Sequence, residues 1–158
     1  MAGIDSIPVT MHLNADYIKC FDLDVKLDPG AYMPEKAHST DAGYDLRSPR
    51  SYLIWPLGSV KIHTGVHLGI PKGFYGRVAS KSGLNVNKDI TSEGVIDSGY
   101  TGQIVAKLRN HRLWFKRIKA GDKITQVVFE RYYDAVMHQV EELDDTDRGD
   151  NGFGSTGR

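Results

Sequence analysis

From residue 60 to residue 70 the apolar side chains Val60, Ile62, Val66, Leu68 and Ile70 occupy even positions only, with Thr64 in the remaining even slot. Successive side chains of an extended chain point to opposite faces, so strict period two over this length predicts a half-buried strand, broken at Gly65. Ile104, Ala106 and Leu108 repeat the alternation against Gln103, Lys107 and Arg109, and residues 124–133 form a third run rich in β-branched and aromatic residues. Turn signals separate these runs: Asp28-Pro-Gly30, Pro56-Leu-Gly58, Pro71-Lys-Gly73 and Ala120-Gly-Asp122. No stretch of a dozen residues sustains a 3.6-residue period; a short helical turn near Ser82 to Val86 is the most that is expected. Many short strands punctuated by 17 glycines predict an all-β sandwich or barrel.

The 158 residues suit one domain with a core, spanning residues 1–158. Residues 1–15 are expected to be loosely ordered, as is the stretch 144–158, acidic at first and then dominated by Gly and Ser. Lys plus Arg equals Asp plus Glu at 20 each. Without a net positive field the chain does not read as a nucleic-acid or membrane-surface binder, since such proteins draw much of their affinity from a basic surface. One cysteine, Cys20, excludes an intrachain disulfide and suits a reducing compartment. The first 14 residues lack a basic start followed by an apolar run, and no window has the length of a membrane span. A soluble, intracellular protein is expected.

Chemistry has few candidate seats. His63 and His67 are four apart, which on a helix could share a metal, but on a strand that spacing spans about 13 Å. Two solvent-facing or edge histidines are expected. Arg148-Gly-Asp-Asn-Gly-Phe-Gly-Ser-Thr-Gly157 offers exposed backbone N–H groups, two hydroxyls and a guanidinium, which suits a phosphate site as well as a loose tail. Phe153 between glycines is costly to expose unless it stacks on something. Gly76-Arg-Val-Ala-Ser-Lys-Ser-Gly-Leu84 ends in small and hydroxyl residues before the short helical turn. Asp97, within Gly94-Val-Ile-Asp-Ser-Gly-Tyr-Thr-Gly102, suits a hairpin tip, where an aspartate either caps the turn or presents its carboxylate to a ligand.

In chain order these segments are joined by Ala42-Gly-Tyr-Asp-Leu-Arg-Ser48 and Ala120-Gly-Asp-Lys-Ile-Thr-Gln-Val-Val128. Together the five resemble the ordered motifs of the homotrimeric dUTPase family, from about Ala42 to the C-terminus. The resemblance implies a jelly-roll-like all-β subunit, a homotrimer whose active sites are shared between subunits, dUTP as substrate and dependence on Mg2+. Carried over by position, Asp97 is the general base that activates water, and Tyr100 packs against the deoxyribose. Thr91, Gly94 and Ile96 belong to the hairpin, from about Thr91 to Tyr100, that reads uracil, while Lys81, Ser82, Gly83 and Gln126 hold the phosphates. Asp45 acts near the metal through bound water, with Mg2+ held mainly by the triphosphate. Arg148, Phe153, Gly154, Ser155 and Thr156 form a C-terminal clamp whose aromatic ring covers the base.

Three positions depart from the family pattern. Lys81 stands for the usual arginine of motif two and loses its bidentate fork. Gly99 stands where an acidic residue commonly precedes the tyrosine, and Asn151 replaces a common glycine. The implied reaction is cleavage of dUTP to dUMP and pyrophosphate, limiting uracil in DNA and supplying dUMP for dTMP synthesis. Two alternatives stand beside it: a dUTP-binding regulatory module with impaired turnover, and a dCTP deaminase of the same superfamily, which would not need the Gly-Phe-Gly-Ser-Thr clamp in this form and uses a different acid-base residue.

Overall fold

The computed structural model describes residues 11–13, 19–146 and 149. Along the described chain run β1 (Met11–Leu13), β2 (Lys19–Phe21), β3 (Asp24–Leu27), β4 (Tyr44–Arg47), β5 (Tyr52–Ile54), β6 (Ser59–His63), β7 (Val66–Gly69), β8 (Phe74–Ala79), helix α1 (Ser82–Lys88), β9 (Ile90–Thr91), β10 (Gly94–Ile96), β11 (Val105–Asn110), β12 (Lys116–Ile118) and β13 (Lys123–Arg131). All pairings are antiparallel. A four-stranded sheet runs β10-β8-β13-β4, a three-stranded sheet runs β6-β11-β9, and β12-β5, β3-β7 and β1-β2 are pairs. The architecture is all-β and jelly-roll-like, as the alternating patterns predict.

Those patterns become the core. Ile62, Thr64, Val66, Leu68 and Ile70 are all buried, as are Ile104, Ala106 and Leu108. The break falls at Gly65, whose φ of 69° lies in the left-handed region that glycine enters without steric cost. Thr64 is the polar member of the run, and its hydroxyl donates to the Ile104 carbonyl at 2.8 Å. One apolar cluster, with Leu46, Val78, Ile96 and Val127 among its members, packs beneath the four-stranded sheet. A second, including Ile62, Ile90, Leu108 and Ile124, fills the space under the three-stranded one. Fully burying each such side chain contributes about 1.5–3 kcal/mol.

Residues 11–13, inside the stretch expected to be loose, form β1, because their backbone groups pair with β2 in register from Met11 opposite Phe21 to Leu13 opposite Lys19. The third apolar run ends as a strand at Arg131, and Tyr133 beyond it is 95% exposed.

Candidate active site

Asp45 lies in β4 opposite Gln126 of β13, which in turn faces Ala79 of β8. This row across the sheet places the Asp45 side chain at 4% exposure. A carboxylate so buried is costly unless it is paired. Here it is paired twice: the Lys81 ammonium donates to Oδ1, and Lys123 Nζ sits 2.6 Å from Oδ2. Burial pushes the Asp45 carboxyl up, but hydrogen bonds from Lys123 and Lys81, reinforced by their charges, outweigh it and hold the group below its ordinary 3.8.

A lowered folded-state pKa means that this carboxylate stabilises the fold above 3.8 and that the contribution disappears as pH falls through the depressed value. We therefore expect Asp45→Asn to melt lower than the wild type at neutral pH. The gap should close on acidification below 3.8. Thermal melts across that range check it, and a gap independent of pH would contradict it.

Lys81 precedes α1 in an extended conformation, and its carbonyl accepts from Leu84 and Asn85 N–H at 3.0 and 2.8 Å. Ser82 and Gly83 follow as the exposed first residues of the helix. The loop is fixed from two sides. Ser80 Oγ donates to the Ser92 carbonyl at 3.0 Å and accepts from its N–H at 2.8 Å. Gln126 Nε2 donates to the Ser80 carbonyl at 3.3 Å. Gly43 leaves room for Gln126, since a Cβ there would stand 2.4 Å from its Oε1.

The second group of candidates surrounds a cleft of about 240 Å³ lined by Gly94, Ile96, Asp97, Tyr100, Glu93 and Val105, among others. The hairpin expected over residues 91–100 does not close on itself. Thr91, in β9, pairs into the three-stranded sheet with β11, whereas Gly94 and Ile96, in β10, pair with β8. Residues 91–94 thus cross between sheets. The tip is a turn in which Tyr100 N–H donates to the Asp97 carbonyl at 3.0 Å. Asp97 itself is exposed, so groups that would desolvate it must come from outside the described residues of this chain.

Tyr100 is 47% exposed and donates its hydroxyl to the Gln103 carbonyl at 2.9 Å. Its ring lies on Gly102: a Cβ added there would stand 2.6 Å from the ring Cζ. We expect Gly102→Ala to displace the ring and, if Tyr100 packs against the deoxyribose as the dUTPase resemblance implies, to raise kcat/KM for UTP relative to dUTP by about tenfold. An unchanged ratio would show that the ring does not set sugar selectivity.

Among the described residues the two groups do not line one common cleft. The cleft beside Asp97 is lined by two carboxylates and no cation, and none of Asp45, Lys81, Ser82, Gly83 or Gln126 lines it. Arg148, Phe153, Gly154, Ser155 and Thr156, with Asn151, lie outside the described residues. His63 is exposed on β6, while His67 on β7 contacts the Thr101 carbonyl at 2.9 Å and Asp28 Oδ1 at 3.3 Å, as expected for histidines on an edge.

The dUTPase family profile matches residues 30–157. The chain belongs to the dUTPase family. It is 42% identical over 142 residues to the deoxyuridine 5'-triphosphate nucleotidohydrolase of swinepox virus, covering 89% of this chain and 97% of that one. The Mus musculus protein of the same name is 40% identical over 135 residues, at 85% and 83% coverage. Among solved structures, a Staphylococcus bacteriophage 80alpha dUTPase with dUpNHpp superposes with a TM-score of 0.82 at 31% identity, covering 87% of this chain and 99% of that one. A mutant dUTPase from phage phi11 of S. aureus, described with a structural Mg(II) ion, superposes with a TM-score of 0.72 at 29% identity, covering 77% and 98%. The family match spans all five motifs, including residues 148–156.

The family raises the question of Mg2+. Among the described residues no group of three or more His, Cys, Asp or Glu is placed to hold a metal ion. Asp45 is the sequence's candidate, yet each of its oxygens already accepts from an ammonium. One carboxylate between two ammonium groups leaves a net positive cluster, which does not fit direct coordination of a resident Mg2+ by Asp45. The sequence passed over Lys123 and Gly102. Both stand inside motifs it recognised, but nothing in a linear string says that one reaches Asp45 and the other carries a tyrosine ring.

Proposed function

We propose that this chain hydrolyses dUTP to dUMP and pyrophosphate, taking Mg2+ with the triphosphate as part of the substrate. The observation that carries it is the Asp97–Tyr100 turn: a carboxylate and a seated aromatic ring border one nucleoside-sized cleft. Asp97 takes a proton from water as its oxygen attacks the α-phosphorus, the bond to the bridging oxygen breaks, and pyrophosphate leaves. Tyr100 lies against the deoxyribose and leaves no room for a 2′-hydroxyl. Thr91, Gly94 and Ile96 border the uracil and exclude a 5-methyl group. Lys81, Ser82, Gly83 and Gln126 hold the phosphates, and Arg148, Phe153, Gly154, Ser155 and Thr156 close over the nucleotide. The product dUMP is a precursor for dTMP, and the loss of dUTP limits uracil in DNA.

A homotrimer with shared sites would bring a second chain's phosphate-holding group to the Asp97 cleft, whose own lining carries no cation. Purified protein with dUTP and Mg2+ should release pyrophosphate, with UTP and dTTP nearly inert and dCTP not deaminated. Tight binding of dUTP without release would favour the regulatory module instead. Sharing has its own test. Mixing two inactive variants, Asp97→Asn and Ser82→Ala with Lys81→Ala, should restore activity at about a quarter of the sites, those that draw an intact group from each chain. No recovery in mixed oligomers would place both groups of each site on one chain.

A further inference from the structure

We propose that Lys123 is a further substrate-binding residue: Asp45 holds Lys81 and Lys123 side by side, and the two ammonium groups together take the phosphate chain. The inference rests on the dUTP-hydrolysing function above and adds to it a residue and a role for Asp45.

The backbone is shaped to bring Lys123 there. In β13, Gln126 faces Asp45, Thr125 faces Leu46, and the next paired residue is Lys123, facing Arg47. Ile124 is the extra residue of a β-bulge. In an unbroken ladder Ile124 would oppose Arg47, on the face of the sheet that carries Asp45, and Lys123 would point to the other face. The bulge lets Ile124 enter the second core cluster at 1% exposure while Lys123 turns to Asp45.

Exposure then decides what the cluster presents. The carboxylate is 4% exposed, but the Lys81 and Lys123 side chains are 25% and 30% exposed. Two positive charges and one negative leave a net positive charge at a partly open position, and the anion of the set is the covered member. Each ammonium carries three donors. Asp45 is the acceptor that the described residues supply to each, so both keep donors for a ligand. Lys81 is contiguous with Ser82 and Gly83, and Gln126 is the cross-strand neighbour of Asp45. An arginine supplies a bidentate fork to phosphate, whereas a lysine supplies a point charge. With lysine at position 81, a second lysine anchored on the same carboxylate restores a two-point grip.

The test compares a ligand with a phosphate chain to one without. Dissociation constants for dUpNHpp with Mg2+, and inhibition constants for deoxyuridine, are measured for wild type, Lys123→Gln and Lys123→Arg, with melting temperatures alongside. Lys123→Gln removes the charge while keeping a side-chain N–H donor, on a slightly shorter arm, for Asp45. It should weaken dUpNHpp by about tenfold or more and flatten the salt dependence of its binding, while leaving deoxyuridine within about twofold. Lys123→Arg should restore most of the loss. Lys123→Thr serves as a second charge-removing variant should the first fail to fold, and must give the same selective loss. Equal weakening of both ligands, weakening of neither, or no rescue by arginine overturns the proposal. A wild type that binds no dUpNHpp sinks the hydrolytic function itself, a result distinct from any variant's behaviour.

Discussion

Asp97→Asn lowers turnover of dUTP by about three orders of magnitude, the scale of a lost general base, and leaves dUpNHpp affinity nearly unchanged. The structure makes this a clean substitution. The Asp97 carboxylate has no hydrogen-bond or ion-pair partner among the described residues, and the turn is closed by its backbone carbonyl, which Asn also supplies. Asn matches the carboxylate in shape and cannot take the proton. Stopped-time pyrophosphate assays, with binding and melting measured on the same preparation, separate chemistry from fold. A variant that retained activity would remove Asp97 from the role of base, and one that lost binding equally would make it a ligand of the substrate.

Deleting residues 148–158 should lower turnover by about a hundredfold, comparable to removing preorganised donors from a developing charge, while leaving the oligomeric state and the melting temperature unchanged. The reason lies in what the rest of the chain offers. The cleft shared by Asp97 and Tyr100 has Glu93 and Asp97 as its charged lining residues, and the neighbouring Arg77 is already paired with Glu130. A nucleotide there needs positive charge and a cover for its base, and Arg148 and Phe153 provide both chemistries in the sequence. Size-exclusion with light scattering and steady-state rates on the truncated protein decide it. Unchanged rates would reduce the segment to a tail. Arg148→Ala alone should reproduce much of the loss if charge dominates, and Phe153→Ala if the cover does.

The departures noted in the sequence take on different weights in three dimensions. A Cβ at Gly99 would meet nothing within 4 Å, and its φ lies outside the left-handed region, so neither space nor backbone requires glycine there. The missing acid is a difference in charge beside the turn and has no packing cause. Lys81 carries more consequence. The sequence expected its ammonium on phosphate, whereas in the described chain it lies on Asp45.

Much of the fold was legible because burial acts through the two-residue period of an extended chain. The even positions from Val60 to Ile70 and the run Ile104, Ala106, Leu108 named core side chains before any coordinates did. The candidate site was legible through glycines, hydroxyls and carboxylates whose order matches a family. Pairing partners were not, because the alternation that buries a strand's face says nothing about its neighbour's identity. Thus residues 91–100 looked like one hairpin, yet β9 and β10 joined different sheets.

The sequence by itself determined the all-β class, the positions that fill the core and the residue types fit for handling a triphosphate, since each follows from local period and side-chain chemistry. Only the tertiary structure decided that Asp45 spends both oxygens on ammonium groups, that a single-residue bulge delivers Lys123 to it, and that Asp97 faces a cleft that Lys81, Ser82 and Gly83 do not line. Those are contacts between residues 36 and 78 positions apart, and a buried charge selects its partner by what the folded backbone brings within reach.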